Sequence, residues 1–370
     1  MTAQPTPVNL FGLDRAGVDG LFDAVGEARY RTAQIMKWLY HRGVNDYSGM
    51  TDLSKALRNR LAEISSTGLP QIVREQNSKD GTRKWVLRVA NGNDVEAVLI
   101  PDRGRNTLCV STQVGCMLDC SFCSTGKQGF NGNLSAAEIV GQVWLVNDAM
   151  RRDGDQRGVT NVVMMGMGEP LLNFDASLTA ADIMMDDYAF GISKRRVTIS
   201  TAGVVPAIRR LIGRTDVSLA VSLHAPDDEL RDVLVPINRK YPIAELLAAC
   251  RDYVSHLGER RHITIEYTLI RGVNDSLGHA QRLARLLAQL RCKINLIPFN
   301  PYPGTPYERP DEAVVRDFQT QLMQAGYATM LRTTRGEDID AACGQLVGAV
   351  ADRTRRSERH RARIKTTEVA

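Results

Sequence analysis

Histidine is scarce in this chain, with six in 370 residues and none between His41 and His224. A closed zinc site takes four nitrogen or sulfur ligands, so the middle of the sequence lacks the histidines that usually complete one. Long apolar runs are missing too. No stretch approaches the roughly 20 residues that cross a bilayer, and Met1 to Pro7 has no charged segment leading into an apolar one. A cytoplasmic protein without a membrane partner is the expectation. The seven cysteines are an odd number with no export signal beside them, which argues against a disulfide framework and for ligation or catalysis. No fixed-period repeat is visible. What is present is ordinary for a soluble enzyme: 43% hydrophobic residues, enough to bury a full core as one large domain with an appendage.

Three of the cysteines, Cys116, Cys120 and Cys123, form a C-x3-C-x2-C triplet after a β-like run, with no fourth Cys or His nearby. A ferredoxin run is spaced C-x2-C-x2-C-x3-C, which differs. Three unrelated buried thiols are conceivable, since Cys is often buried, but eight residues is close quarters for chance. Four thiolates normally hold a [4Fe–4S] cube, so three leave one iron open to an external ligand.

Residues 13–64 have a helical pattern, with Ile35, Trp38 and Leu39 on one face and Arg29, Arg31 and Lys37 largely on others. β-like runs at 84–89 and 95–100, with turn signals at Asp80-Gly81 and Asn91-Gly92, predict a hairpin. From Thr107 onward strands alternate with helices, at 107–113, 160–165, 195–200, 217–223, 262–269, 293–298 and 328–332. Ser135 and Glu138 make a capping box before Ile139, Val143 and Val146. Such alternation means a parallel sheet with helices outside. A partial (βα)6 barrel is its natural closure, and an open doubly wound sheet is the alternative.

In either architecture ligands bind at the carboxyl ends of the strands. Gly166 to Pro170 follows the second strand, where small glycines let backbone approach a ligand and Glu169 can accept from an ammonium. Ser200, Ser222, Leu223, His224 and Asn300 end or follow later strands. Of the remaining thiols, Cys109 and Cys343 can reach the barrel mouth, whereas Cys250 and Cys292 suit packing.

The triplet resembles the signature of the radical S-adenosylmethionine (SAM) superfamily, from about residue 91 onward. The resemblance implies a [4Fe–4S] cluster on Cys116, Cys120 and Cys123, with SAM on the open iron and cleaved to a 5′-deoxyadenosyl radical. It also implies a partial (βα)6 barrel, contacts of Gly168 and Glu169 with the SAM amino group, and contacts of Ser200, Ser222, Leu223, His224 and Asn300 with its carboxylate, ribose and adenine. The domain organisation expected is a helical module over 1–66, a hairpin bridge over 67–104, the barrel over 105–346 and a basic tail over 347–370.

A narrower likeness rests on Val110 to Cys116, Cys123 to Phe130, Met164 to Leu171, Ser222 to Pro226, Asn295 to Asn300 and Asp338 to Leu346. Together these resemble the RlmN/Cfr family of radical SAM adenine methyltransferases, nearly end to end. The segment 124–134 and the N-terminal module resemble the RlmN branch, which methylates adenosine C2 in 23S ribosomal RNA and, in some members, beside the tRNA anticodon. The Cfr branch targets C8. The likeness implies that Cys343 carries the methyl as S-methylcysteine, that Cys109 resolves the RNA adduct as a transient Cys109–Cys343 disulfide, and that Glu96 accepts a proton. On residue pattern alone, a Glu alternating with apolar neighbours on a strand faces solvent.

The partners implied are 23S rRNA before full ribosome assembly, tRNA, and an external electron donor. Candidate RNA contacts are the basic helix from Arg29 to Lys37, the run Lys194 to Arg196, and the tail from Arg353 to Lys365, with seven Lys/Arg against one Glu. A non-catalytic RNA-binding protein with a structural cluster is the rival outside enzymes, although it has no use for an open iron and two further placed thiols.

Overall fold

Seven parallel strands follow one another in chain order, β6 (Arg105–Cys109), β9 (Asn161–Met164), β10 (Val197–Thr201), β11 (Ser218–Ser222), β12 (Ile263–Leu269), β13 (Cys292–Pro298) and β14 (Thr329–Leu331). Between them run α5 (Ala136–Arg152), α6 (Phe174–Met185), α7 (Val205–Leu211), α8 (Asp228–Leu234) with α9 (Ile243–His256), α10 (Leu277–Leu286) and α11 (Glu312–Gln324). The order never reverses. Right-handed crossovers that all step the same way put every helix on the same face, which curls the sheet and excludes the doubly wound alternative. Six βα units and a closing strand make the partial barrel that the alternation predicted. The computed structural model describes residues 7–348, 351–356 and 358.

The predicted hairpin is part of a larger device. β3 (Gln71–Asn77), β4 (Arg83–Arg88) and β5 (Asp94–Asp102) are antiparallel, and β5 pairs with β6, so they extend the barrel sheet to ten strands. Side chains alternate across such strands, and Trp85, Leu87, Ala97 and Leu99 are buried on them. The first barrel strand ends earlier than expected, at Cys109. Residues beyond it form β7 (Gln113–Gly115), which pairs with β8 (Phe130–Asn133) in a separate two-stranded sheet. The cysteine triplet lies between β7 and α4 (Ser124–Lys127).

The N-terminal helices are α1 (Arg15–Val25), α2 (Tyr30–Met36) and α3 (Lys55–Ile64), closed by a short pairing of β1 (Val8–Asn9) with β2 (Ser65–Ser66). Asp14 and Ser54 cap α1 and α3 through bonds to Gly17 and Leu57. Phe11, Ile35, Leu39 and Leu61 are buried at 0–1% exposure, each contributing about 1.5–3 kcal/mol of hydrophobic stabilisation. The module is pinned to the barrel by polar contacts as well. Trp144 of α5 donates its indole N–H to the Leu39 carbonyl at 2.7 Å, and Arg15 holds Asp186 through two nitrogens.

The expected capping box on α5 is formed, with Glu138 N–H donating to Ser135 Oγ and Ser135 N–H to Glu138 Oε2. A residue outside the hydrophobic pattern braces the strand ends: Arg231 of α8 is fully buried and donates to the carbonyls of Ala202, Ser222 and Leu223 and to Asn238. Arg231→Met would leave those acceptors buried without a donor, at about 1–3 kcal/mol each. The variant should lose at least about 3 kcal/mol in denaturant unfolding, and a loss under about 1 kcal/mol would show that the carbonyls find other partners.

Candidate active site

The carboxyl ends of the barrel strands surround a cavity of about 960 Å³, part of it open to solvent. Cys116, Cys120 and Cys123 line it, with Gly168, Glu169, Ser200, Ser222, His224, Asn300 and Cys343. Of Gly168, Glu169, Ser200, Ser222, Leu223, His224 and Asn300, the SAM contacts named from sequence, Leu223 alone is not in the wall. Its side chain is buried in the core, while its N–H donates to the Glu266 carbonyl and its own carbonyl accepts from Arg231.

The cysteine loop is shaped by backbone. Gly115 has φ +72°, and a Cβ there would meet the Gly129 carbonyl, to which Cys116 N–H donates at 2.8 Å. The Cys116 thiol is held well above its usual pKa by burial and by its neighbours Cys120 and Cys123, and Cys120 is pushed up to about 12 for the same reasons. Three thiols that resist ionising together are what a bound cation would reverse, since coordination deprotonates a thiol outright. Among the described residues no group of three His, Cys, Asp or Glu side chains converges on a point for a single metal ion. Thiolates of an iron–sulfur cube bind different irons, and three thiols lining one cavity supply ligands for three of its four.

Glu169 follows β9 and is 3% exposed. Its carboxylate oxygens accept from Leu171 N–H at 3.0 Å and Ala202 N–H at 2.7 Å. Gly168 before it has φ +100°, and a Cβ there would lie 2.4 Å from Gln113 Cβ, so only glycine fits the approach. Burial pushes the Glu169 pKa up to about 7, against the bonds from Ala202, Leu171 and Thr201. A buried carboxylate with donors on one side is suited to receive an ammonium on the other.

His224 is held at φ +62°. Its Nδ1 accepts from Thr268 N–H at 2.9 Å, and burial with Arg231 nearby pushes its pKa down to about 3. The ring is therefore neutral with its proton on Nε2, a donor for a ligand in the cavity. Its edge meets Phe122, with centroids 4.7 Å apart.

A second cavity of about 520 Å³ adjoins the first and is lined by Cys109, Cys123, Cys343 and Arg332. The Cys109 thiol is pushed up to about 12, first by burial and then by Cys343, with Arg332 opposing. Arg332 Nη2 lies 4.0 Å from Cys343 Sγ.

Glu96 departs from the solvent-facing position that its strand pattern suggested. It is 2% exposed, pairs with Lys84 at 3.2 Å and accepts from Val347 N–H at 3.0 Å. β4 and β5 are covered on this face by the Cys343 segment, and that cover is what buries Glu96. Lys84 in turn donates to the Asp340 carbonyl, so the pair grips the Cys343 segment on both sides of the thiol.

Sequence reading missed Glu266, Thr268 and Arg332. Glu266 lines the first cavity, 5% exposed, with Asn295 Nδ2 at 3.1 Å from both carboxylate oxygens. Its signal was available: Thr264, Glu266 and Thr268 alternate with Ile263, Ile265, Tyr267 and Leu269, a polar face on a strand expected to be buried on both sides. Two basic segments are partly neutralised, with Arg29 paired to Asp23, Arg31 to Glu27 and Lys194 to Asp216, while Arg195 and Arg196 are exposed. Most of the basic tail lies outside the described residues. No helix among those residues is long and apolar enough to cross a membrane.

Residues 8–66 match the family described as ribosomal RNA large subunit methyltransferase N-terminal domain, and residues 110–284 match the radical SAM superfamily. The chain is similar to the dual-specificity RNA methyltransferase RlmN of Marinobacter nauticus, 60% identical over 361 residues that cover 97% of this chain and 98% of the relative. To the protein of that description from Pseudomonas fluorescens it is 58% identical over 362 residues, covering 97% and 95%. A crystal structure of a radical SAM methyltransferase from Sphaerobacter thermophilus superposes with a TM-score of 0.86 at 46% identity, covering 92% of this chain and 99% of that one.

The Glu169 shift has a measurable sign. An acid whose pKa is raised on folding binds its proton more tightly in the native state, so its contribution is present at low pH and is lost as pH rises from the unfolded value near 4.5 through about 7. Measured against Glu169→Gln, the iron-free protein should lose up to about 3 kcal/mol of unfolding free energy across that window. A difference that does not change with pH would mean that the carboxyl titrates in the folded protein as it does in the unfolded chain.

Proposed function

Because this chain belongs to the RlmN family of radical SAM RNA methyltransferases, we propose that it methylates C2 of adenosine in 23S ribosomal RNA, at the peptidyl transferase centre, and C2 of the adenosine 3′ of the tRNA anticodon. One observation carries the reading: two thiols, Cys109 and Cys343, line a single cavity beside the cysteine triplet. Adenine C2 lies between two ring nitrogens and is electron-poor, so it does not attack an electrophilic methyl group as an amine would. A carbon radical can add there. When bound, a [4Fe–4S] cluster on Cys116, Cys120 and Cys123 together with SAM supplies the one-electron chemistry that makes one.

The chain's own residues divide the remaining work. Glu169 receives the SAM ammonium, with Gly168 giving the backbone room; neutral His224 donates to its ribose or adenine, and Ser200, Ser222 and Asn300 complete the polar wall. Leu223 contributes through its backbone and its packing. Cys343 carries the methyl as S-methylcysteine and presents it to C2, with Arg332 Nη2 4.0 Å from its sulfur. Once carbon is joined to C2, the adduct radical must give up one electron, which a bound cluster would take back. Release then requires loss of the C2 proton, cleavage of the carbon–sulfur bond and a proton on the freed carbon to complete the methyl. Cys109 attacks the Cys343 sulfur to form a disulfide, and an external reductant resets the pair.

Glu96 is the candidate acceptor for the C2 proton. It lines neither cavity, so its share of that transfer requires the Cys343 segment to shift, whereas Cys109 already faces the space. The substrate adenine must be flipped out of its stack to enter, as base-modifying enzymes generally require. The substrate RNA is met before the ribosome is fully assembled, in the cytoplasm, with Arg195 and Arg196 on the exposed surface available to phosphate.

Nucleoside digests of 23S rRNA and tRNA treated with the reconstituted enzyme, SAM and a reductant should contain 2-methyladenosine by mass spectrometry. 8-Methyladenosine would move the protein to the Cfr branch, and good SAM cleavage with neither product would mean another substrate. Cys343→Ala should abolish RNA methylation and leave SAM cleavage measurable; methylation at the wild-type rate would sink the S-methylcysteine step. Cys109→Ala should accumulate a covalent protein–RNA species, and normal turnover without one would remove Cys109 from the scheme.

A further inference from the structure

One arginine of the basic tail points inward. The described stretches 343–348 and 351–356 run beside residues 124–133, held at a series of points. Ser124 N–H donates to the Gly344 carbonyl at 2.9 Å, Thr125 Oγ1 to Leu346 at 2.8 Å and Gln128 Nε2 to Gly348 at 2.7 Å. Asn131 Nδ2 then donates to Ala351 at 2.7 Å, and Arg353 N–H to the Phe130 carbonyl at 3.1 Å. The series ends at Arg356. Its Nη1 lies 3.2 Å from the Cys116 carbonyl and 3.0 Å from those of Leu118 and Gly126, and Nη2 lies 3.0 Å from that of Met117. Asp119, which also pairs with Lys127, sits 3.8 Å from its Nε.

Carbonyls in a loop with no ladder must find donors elsewhere. Four of them from the cysteine loop and its following turn meet on one planar fork, which an ammonium cannot copy. Lys127 on the neighbouring helix is occupied with Asp119 and leaves this task to Arg356.

We propose that Arg356 is a positioning residue that fastens the cysteine loop from outside and, through the same segment, holds the Cys343 thiol in register with the triplet. The role makes the tail part of the active site's scaffold. It rests on the assignment of a cluster to Cys116, Cys120 and Cys123 and not on the identity of the RNA product. Fixed positive charge beside the loop favours the more reduced, more negative state of a group ligated by three thiolates.

Arg356→Met and Arg356→Lys in the full chain test it, with Arg316→Met on the exposed face of α11 as a control. In anaerobically reconstituted protein, Arg356→Met should release iron to a chelator at least about tenfold faster than wild type, the equivalent of one lost charge-assisted hydrogen bond. Its cluster potential should move to more negative values, and Arg356→Lys should recover part of the potential, since charge is kept, but little of the iron retention. In iron-free protein, Cys343 in Arg356→Met should react faster with iodoacetamide at an unchanged melting temperature. Iron release and potential equal to wild type would overturn the role at the loop, and unchanged Cys343 alkylation would overturn the coupling. None of these readouts uses RNA, so they stand or fall apart from the proposed substrate.

Discussion

Each crossover in the barrel steps to the next strand in the same direction, and the rest of the molecule depends on that. Parallel strands added in one order carry all their helices outside and bring all their carboxyl ends to one rim. Glu169, Ser200, Ser222, His224 and Asn300 lie at or just past the carboxyl ends of four separate strands and meet in one wall only for that reason. Strand ends so exposed need bracing from behind, and Arg231 supplies it by taking up the carbonyls of Ala202, Ser222 and Leu223 at once.

Around that rim the chain closes on itself from both ends. The antiparallel strands β3 to β5 extend the sheet past β6 and offer the Lys84–Glu96 pair, which holds the Cys343 segment at Asp340 and Val347. The cysteine loop is held by Gly129 from within and Arg356 from outside. Apart from Cys109 at the end of β6, the sulfur atoms around the cavities are therefore carried on loops but positioned by strands and by a tail, so the scaffold of the site reaches from residue 84 to residue 356. Buried ion pairs such as Lys84–Glu96 are costly to desolvate, and here the pair spans two neighbouring strands where apolar residues would have packed without reaching the segment above.

Much of this was legible in one dimension. The βα alternation, the capping box at Ser135 and the spacing of Cys116, Cys120 and Cys123 are local patterns whose physics acts over a few residues, and each appears in the fold where it was expected. Glu96 was read by the same local logic and came out on the wrong side: alternation assigns a face, but what covers that face comes from residues about 250 positions later in the chain. Glu266 was overlooked although Thr264, Glu266 and Thr268 make a polar face on their strand, because alternation assigns that face without saying that it lines a cavity. Arg332 and Arg356 look alike in sequence, two arginines among many, yet one faces a thiol and the other four carbonyls.

By itself, then, the sequence determined the kind of chemistry and the architecture that hosts it, because ligand spacing and hydrophobic period are properties of neighbouring residues. Only the tertiary structure decided which thiols share a cavity, which carboxylates are buried and that Arg356 turns inward to the cysteine loop. Those outcomes depend on long-range contacts, where burial changes the charge a group can carry and a distant segment supplies the partner it needs.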